Sequence, residues 1–175
     1  MGDGMSNVLV VYATGSGCTA GVAEQIARSL AEAGATVELA PVEDDPVAAD
    51  IDAVVVGSGI RAGQWHGNAK RWVLANREAL KGRPTAFFTC CLTMATDAED
   101  PQKVAQVRAY TDPIIAESGV EPVDVGLFAG WNELKSFSLP ERLILKAMKA
   151  PVGDFRDFSA VAAWSEAVAR KLGLS

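Results

Sequence analysis

The sequence predicts an α/β fold in which five parallel strands form one doubly wound sheet with helices on both faces. Short β-rich runs alternate with helical patterns along the chain, and this alternation is typical of a parallel sheet. Most strand-like runs are continuously apolar, as expected for strands that are buried on both faces. With 175 residues, of which 49% are hydrophobic, the chain suits one domain, 1–175, with a substantial core.

Each element follows from its local pattern. The predicted strands lie at Val8–Ala13, Thr36–Val42, Ala53–Gly57, Thr85–Cys91 and Val123–Ala129. The predicted helices lie at Thr19–Ala33, Gly67–Leu80, Pro101–Ser118 and Ser159–Leu172. For such a unit we expect the strand order 2-1-3-4-5, with a ligand beyond the strand ends where the order switches between the first and third strands. An extra segment, 131–158, separates the fifth strand from the last helix.

The run Thr14-Gly15-Ser16-Gly17-Cys18-Thr19 follows the first strand and opens the first helix, where it forms a candidate phosphate cradle. Its glycines let the backbone approach a ligand, its three hydroxyls supply donors, and the helix N-terminus adds free N–H groups. No Lys or Arg occurs between Val8 and Ala27. The sequence therefore predicts a single phosphate bound by neutral donors.

Three phosphate-binding loops compete for this run. A P-loop is excluded because Cys18-Thr19 stands where Lys followed by Ser or Thr is required. A dinucleotide-binding fingerprint stays open, although Gly15, Gly17 and Gly21 are spaced one residue too widely for it. The flavodoxin-type loop, hydroxyl-x-hydroxyl-Gly-x-Thr, is matched in full. An ordinary capped turn between strand and helix is the remaining interpretation.

Two further loops follow the third and fourth predicted strands. The first, Ser58-Gly59-Ile60-Arg61-Ala62-Gly63-Gln64-Trp65-His66, is glycine-rich, aromatic and basic. The second begins with Cys90-Cys91-Leu92-Thr93. The carboxyl ends of parallel strands meet at one edge of the sheet, so a planar cofactor with its phosphate on the first loop would place its ring system between these two loops.

Together these loops resemble the flavodoxin superfamily, and most of all the branch of menaquinone-dependent protoporphyrinogen oxidases. The similarity extends in order over residues 14–19, 54–66, 85–88, 128–130, 142–149, 153–154 and Trp164. The resemblance implies a flavodoxin-like fold and non-covalently bound FMN. It assigns the phosphate to Thr14, Gly15, Ser16, Gly17, Cys18 and Thr19, and the ring to Ser58, Gly59, Ile60, Arg61, Cys90, Cys91, Leu92 and Thr93.

The resemblance also implies an FMN-dependent oxidoreductase that moves electrons from a small organic donor, such as a porphyrinogen, to a quinone-type acceptor. The alternative is a flavodoxin-type electron carrier that docks on redox partners. The net charge of −6 favours the carrier and disfavours nucleic acid as a partner, whereas Arg61 and segment 131–158 favour the enzyme. Ile60 and Leu92 stand where carriers stack an aromatic residue on the flavin. An interaction module that has lost its cofactor would not need the three loop hydroxyls.

Arg61 and His66 are the candidates for a direct part in the chemistry. A cation near the pyrimidine edge of a flavin stabilises the negative charge that reduction places there. His66, the only histidine, is a candidate proton donor. The alternatives are a surface ion pair for Arg61 and a structural role for His66. Cys18 lies at a helix N-terminus, a position that lowers a thiol pKa; it either fills space or is open to oxidation. No spacing of Cys and His residues suggests a metal site.

The sequence carries no signal region and no apolar run long enough to span a bilayer, which predicts a cytosolic protein. Within residues 139–149, apolar positions recur at helical spacing among Arg142, Lys146 and Lys149. Such a basic amphipathic helix lies either on the inner face of a membrane, where a lipid quinone is met, or on its own domain. The pattern does not choose between these, and it does not predict an oligomeric state.

Overall fold

A computed structural model describes residues 6–174 of the protein. In chain order its first six strands are β1 (Asn7–Ala13), β2 (Thr36–Pro41), β3 (Ala53–Arg61), β4 (Gln64–Trp65), β5 (Thr85–Cys90) and β6 (Asp124–Phe128). Five of them form a parallel sheet in the order β2-β1-β3-β5-β6, and β4 pairs antiparallel with the end of β3. The predicted doubly wound sheet of order 2-1-3-4-5 is confirmed.

Helices cover both faces of this sheet. They are α1 (Cys18–Glu32), α2 (Gly67–Ala75), α3 (Arg77–Lys81), α4 (Pro101–Ser118), α5 (Leu139–Ala147) and α6 (Phe158–Lys171). In β1, Val8 and Val10 pack into the core under α1 and α6, while Leu9 and Val11 pack into the core under α2, α3 and α4. All four side chains are fully buried. Because successive strand residues point to opposite faces, a sheet covered on both sides needs such continuous apolar runs.

The third strand is longer than predicted. Residues 58–61, which the sequence assigns to a loop, extend β3, because Gly59 pairs with Cys90 of β5 and Ile60 pairs with Trp65 of β4. The turn between β3 and β4 is Ala62-Gly63, and both residues have a positive φ, 50° and 73°. A two-residue hairpin turn of this kind matches the twist of its strands. The loop therefore begins at Ala62 rather than at Ser58.

The predicted helix Gly67–Leu80 is two helices, α2 and α3, which meet at Asn76. The side-chain amide of Asn76 donates to the carbonyl oxygen of Trp72 at 3.0 Å. Such a local bond competes with the backbone pattern and favours a helix end. The other boundaries match the prediction or differ from it by one residue. Val42, Cys91, Val123 and Ala129 lie outside the strands and Asn7 inside, while Cys18 and Phe158 lie inside the helices and Ala33 and Leu172 outside.

The segment between β6 and α6 contains β7 (Trp131–Asn132), α5 and β8 (Gly153–Asp154). β7 and β8 form an antiparallel ribbon. α5 begins with a capping box, in which Ser138 and Glu141 each satisfy a backbone N–H of the other, and Pro140 stands in its first turn. None of the residues of α5 is buried. Across residues 6–174, no helix is both long and apolar enough to cross a membrane.

Candidate functional site

A cleft of about 510 Å³ opens at the carboxyl ends of β1, β3 and β5. Its walls are the β1–α1 loop, the β3–β4 hairpin, the residues after β5, part of α4 and the segment from Gly130 to Met148. This volume is within the range of small-molecule sites, roughly 300–1,000 Å³. The predicted residues that line it are Thr14, Gly15, Ser16, Cys18, Thr19, Gly59, Ile60, Arg61, His66, Cys90, Cys91, Leu92 and Thr93.

Two predicted site residues, Gly17 and Ser58, do not line the cleft. Gly17 has a φ of 85° and caps α1, and its N–H donates to Oγ1 of Thr14 at 2.9 Å. Glycine suits this left-handed position because it has no Cβ. Ser58 is fully buried; its hydroxyl donates to the carbonyl of Gly59 at 2.8 Å and accepts from the N–H of His66 at 3.0 Å. Both residues hold the walls in shape.

His66 and Arg61 lie over Gly15 in the first loop. A Cβ built at position 15 would be 3.0 Å from Nε2 of His66 and 3.6 Å from Nη1 of Arg61. Nε2 is buried and has no hydrogen-bond partner among residues 6–174. The sequence predicts neutral donors alone because it has no Lys or Arg near the loop, and the structure corrects this expectation. Two nitrogen-bearing side chains reach the loop from β3 and the start of α2.

Arg61 also joins the two walls of the cleft. Its Nη2 forms an ion pair with Oε1 of Glu141 on α5. The other carboxylate oxygen of Glu141 accepts from the Ser138 hydroxyl at 2.7 Å and from the Ser138 N–H at 2.9 Å. These two bonds, followed by Arg61, lower the pKa of Glu141 from its ordinary 4.5 to about 2. The carboxylate therefore stays charged near neutral pH and holds the guanidinium in place.

Trp131 ties the segment after β6 to the first loop. Its indole N–H donates to Oγ of Ser16 at 3.1 Å, and its backbone N–H donates to Sγ of Cys18 at 3.1 Å. The guanidinium of Arg156 lies 4.3 Å from the centroid of the Trp131 ring, which is a cation–π contact. Arg156 is in turn held by both carboxylate oxygens of Asp154, at 2.9 and 2.6 Å. Trp131, Arg156 and Asp154 thus fix the shape of the β1–α1 loop from outside it.

Cys18 and Cys90, two of the cysteines at the cleft, stay protonated at physiological pH. The expected lowering of the Cys18 pKa at a helix N-terminus is not found. Burial raises the pKa of Cys18, and the hydrogen bond from the Trp131 N–H offsets this only in part. Cys90 is deeper, and burial raises its pKa well above the usual range. Cys18, Cys90 and Cys91 are buried and unpaired, as expected for residues that pack the site.

Gly21, the third glycine of the dinucleotide interpretation, leaves room for the side chain of Arg156. A side chain at this position would overlap the guanidinium of Arg156 and contact the Phe158 ring. Gly21 is not among the residues that line the cleft. Its spacing from Gly15 and Gly17 therefore reflects the packing of Arg156 against α1, and the dinucleotide interpretation loses the support of its third glycine.

One wall of the cleft was not predicted. Gln106 and Tyr110 are four residues apart on α4, which places them on one face, and Nε2 of Gln106 donates to the Tyr110 hydroxyl at 3.1 Å. Their spacing was visible in the sequence, but the direction of that face was not. The other unpredicted lining residues are Ala62, Gly63, Gly130, Trp131, Asn132, Phe137, Glu141, Ile144, Leu145 and Met148.

Comparison with known proteins gives a consistent result. The sequence profile of the flavodoxin domain matches residues 9–159. Protoporphyrinogen IX dehydrogenase (quinone) of Escherichia coli K12 is 26% identical over 152 residues, which are 85% of this chain and 82% of that protein. A short-chain flavodoxin associated with a bacterial microcompartment has a TM-score of 0.60 at 14% identity, over 96% of this chain and 99% of the other. A Fusobacterium nucleatum flavodoxin variant bound to flavin mononucleotide has a TM-score of 0.50 at 15% identity, over 73% of this chain and 71% of the other.

Proposed function

Because this chain belongs to the flavodoxin domain family, we propose that it binds FMN in the cleft and passes electrons from an organic donor to a quinone-type acceptor. The name of the Escherichia coli relative supports the reaction, since that protein oxidises protoporphyrinogen IX with a quinone. The Fusobacterium flavodoxin supports the cofactor, since its structure contains flavin mononucleotide. We propose a porphyrinogen as the donor on the same ground.

The residues of the first loop fit a phosphate group. Nε2 of His66 is a buried polar atom that has no hydrogen-bond partner within residues 6–174, and a buried polar atom normally has one. Gly15 and Gly59 leave space that larger residues would fill, since a Cβ at position 59 would be 2.8 Å from Oγ1 of Thr19. When bound, FMN supplies the reversible transfer of one or two electrons.

Two of the loop hydroxyls, those of Thr14 and Ser16, are available to donate to an anion. Oγ1 of Thr14 accepts from the Gly17 N–H, and Oγ of Ser16 accepts from the Trp131 indole. A hydroxyl that already accepts a bond keeps its own proton for a second partner. Thr14, Ser16 and Thr19, together with the N–H groups at the start of α1, would hold the phosphate.

The observation that favours an enzyme over an electron carrier is the wall that α5 and its flanking residues add to the cleft. Phe137, Ile144, Leu145 and Met148 add an apolar surface beside the three loops, and Glu141 adds the ion pair with Arg61. An apolar wall with a few polar groups suits an organic molecule. The carrier remains the second candidate, because the net charge of −6 suits docking on a basic redox partner.

We also propose that residues 139–149 contact the cytoplasmic face of a membrane. Leu139, Leu143 and Met148 are 73%, 68% and 72% exposed, and Lys146 and Lys149 are exposed beside them. A helix with an exposed apolar face and flanking lysines binds at the boundary between headgroups and acyl chains. This contact would bring the mouth of the cleft to a lipid-soluble quinone.

Purification tests the cofactor. We expect a yellow protein whose released flavin is FMN by mass spectrometry, or an apoprotein that binds added FMN in a 1:1 ratio. In Gly59→Val, the new side chain would crowd Thr19, so this variant should bind FMN at least about tenfold more weakly, by the general cost of overpacking. A colourless protein that does not bind FMN would contradict the proposal.

Stepwise reduction separates the two candidates. An anaerobic redox titration of the FMN-loaded protein, followed by absorbance, should show both electrons entering in one step if the protein is the enzyme. A carrier would take the two electrons at clearly separated potentials. The second result would favour docking on redox partners over the reduction of a quinone.

A further inference from the structure

We propose that His66 and Arg61 form a nitrogen wall of the phosphate site, with Nε2 of His66 donating to the phosphate, and that this wall makes the cleft select FMN over riboflavin. The inference rests on the FMN binding proposed above and adds to it the residues that distinguish the two flavins. It also moves Arg61 from the predicted pyrimidine edge of the ring to the phosphate.

The position of the two side chains is the first argument. Nε2 of His66 and Nη1 of Arg61 both lie within 4 Å of the point where a Cβ of Gly15 would be. Gly15 is the second residue of the loop, between the hydroxyl-bearing Thr14 and Ser16. A group held by those hydroxyls lies within reach of both nitrogens, and a phosphate has enough oxygens to accept from all of them.

The unpaired nitrogen is the second argument. Nε2 of His66 is buried, and it finds no hydrogen-bond partner in the described part of the chain. Such an atom is expected to meet a ligand or an ordered water. Because it faces the residues that form the cradle, the acceptor with the best chemical match is a phosphate oxygen, and a hydrogen bond to a charged oxygen is stronger than one to a neutral acceptor.

The wall is fixed by the fold. The buried hydroxyl of Ser58 accepts from the His66 N–H at 3.0 Å, so the end of β3 sets the position of His66. Glu141 holds Nη2 of Arg61 and leaves Nη1 on the side of Gly15. Glu141 also neutralises part of the charge of Arg61, so the selectivity depends most on His66. Nitrogens that are held in place in advance bind a ligand without an ordering cost.

Riboflavin is the matched probe because it has the ring system of FMN and no phosphate. We would titrate both flavins into untagged apoprotein and follow the quenching of flavin fluorescence. In His66→Leu, FMN should bind roughly 10- to 100-fold more weakly, because a hydrogen bond to a charged group usually contributes that much to affinity. The affinity for riboflavin should change less than about twofold. Lys70→Leu, on the first turn of α2 and outside the cleft, should change neither affinity.

Equal losses for both flavins in His66→Leu, or no loss for either, would overturn the inference while FMN binding by the wild type stands. If the wild type binds neither flavin, the proposed function fails and the inference with it. Arg61→Gln gives a further check, since a role at the phosphate lowers the preference for FMN over riboflavin. A changed reduction potential with the preference intact would instead place Arg61 at the ring and overturn its part in the wall.

The single histidine of the chain allows a test that needs no variant. The imidazole gives one set of NMR signals, which can be followed in the intact untagged protein. We expect both FMN and inorganic phosphate to shift these signals, and phosphate to be displaced by FMN. Imidazole signals that stay unchanged at saturating FMN would contradict the inference.

Discussion

At the scale of single residues, the first loop is shaped by contacts from outside it. The Trp131 indole orients Ser16, its backbone N–H bonds to Cys18, and the guanidinium of Arg156 lies against the Trp131 ring. Arg156 needs the space above Gly21, and its side chain is only 11% exposed. These contacts make the loop a preformed site, which lowers the ordering cost of binding a ligand.

Two glycine substitutions test this arrangement. Gly21→Ala places a methyl group on the guanidinium of Arg156 and displaces it from Asp154 and Trp131, which offsets the gain in helix propensity, so we expect this variant to have a free energy of unfolding about 1–2 kcal/mol lower than that of Gly67→Ala. Gly67→Ala, in α2, meets no atom within 4 Å and should be neutral or stabilising, by at most about 1 kcal/mol. Urea unfolding with an unchanged m-value measures both. Equal stabilisation by the two substitutions would contradict the role of Arg156.

The residues of the first loop were predictable because glycines and hydroxyls at fixed spacing carry a local signature. His66 was predictable as a candidate but not as a neighbour of Gly15. Its position depends on the extension of β3 through residue 61 and on the turn at Ala62-Gly63. Alanine seldom has a positive φ, so nothing in the sequence marks this turn as a two-residue hairpin.

At the scale of elements, α5 is the least supported part of the site. It has no buried residue, and it is held by its capping box and by the ion pair between Glu141 and Arg61. Surface ion pairs contribute little to stability, so α5 is only weakly docked, and the loss of the Glu141 charge should be enough to loosen it. The apolar spacing of 139–149 predicted the helix, but the partner of Glu141 depends on how the chain returns across the cleft.

Acid should release α5. The folded-state pKa of Glu141, about 2, is lower than its ordinary value of 4.5, so its stabilising contribution is present above pH 4.5 and is lost as the pH falls toward 2. We expect hydrogen exchange of residues 139–147 to be slower in wild type than in Glu141→Gln at pH 5.5. The difference should vanish near pH 2.

Comparison at each pH cancels the intrinsic pH dependence of exchange, and Glu99→Gln, on an exposed loop, is the control. Equal protection of α5 in wild type and Glu141→Gln at pH 5.5 would refute the role of the carboxylate.

Lipid binding by α5 is a separate expectation. Sedimentation with vesicles that contain anionic lipid should bring down the wild type. Lys146→Glu with Lys149→Glu should weaken the partition by at least about tenfold, because each basic residue near an anionic surface contributes roughly 1 kcal/mol. Arg142 is unsuitable for this test, since its side chain is bound to the carbonyls of Phe137 and Lys135.

The control for the vesicle experiment reverses two charges on α3, Arg77→Glu with Lys81→Glu, away from the cleft. If both double variants lose binding equally, the attraction is a general charge effect. If neither loses binding, the lysines of α5 do not contact lipid.

At the scale of the whole molecule, the strand order explains why one site forms. With the order β2-β1-β3-β5-β6, the ends of β1, β3 and β5 are neighbours, and three loops far apart in the sequence meet at one edge. This much was predicted from apolar runs and loop positions. The wall made by α4 and α5 was not predicted. The direction in which a helix faces depends on tertiary packing, which cannot be inferred from the sequence of the helix alone.

Electron transfer from an organic donor to a quinone at this cleft is the central step of the proposed function. The most direct measurement is an anaerobic assay of FMN-loaded protein with protoporphyrinogen IX and a soluble menaquinone analogue, in which porphyrin fluorescence and quinone absorbance are followed together. We expect porphyrin to form only as quinone is reduced, and Gly59→Val to show both changes at a lower rate when FMN is supplied at a concentration that just saturates the wild type. Porphyrin formation that is no faster than without protein, or that proceeds without reduction of the quinone, would contradict the proposed function.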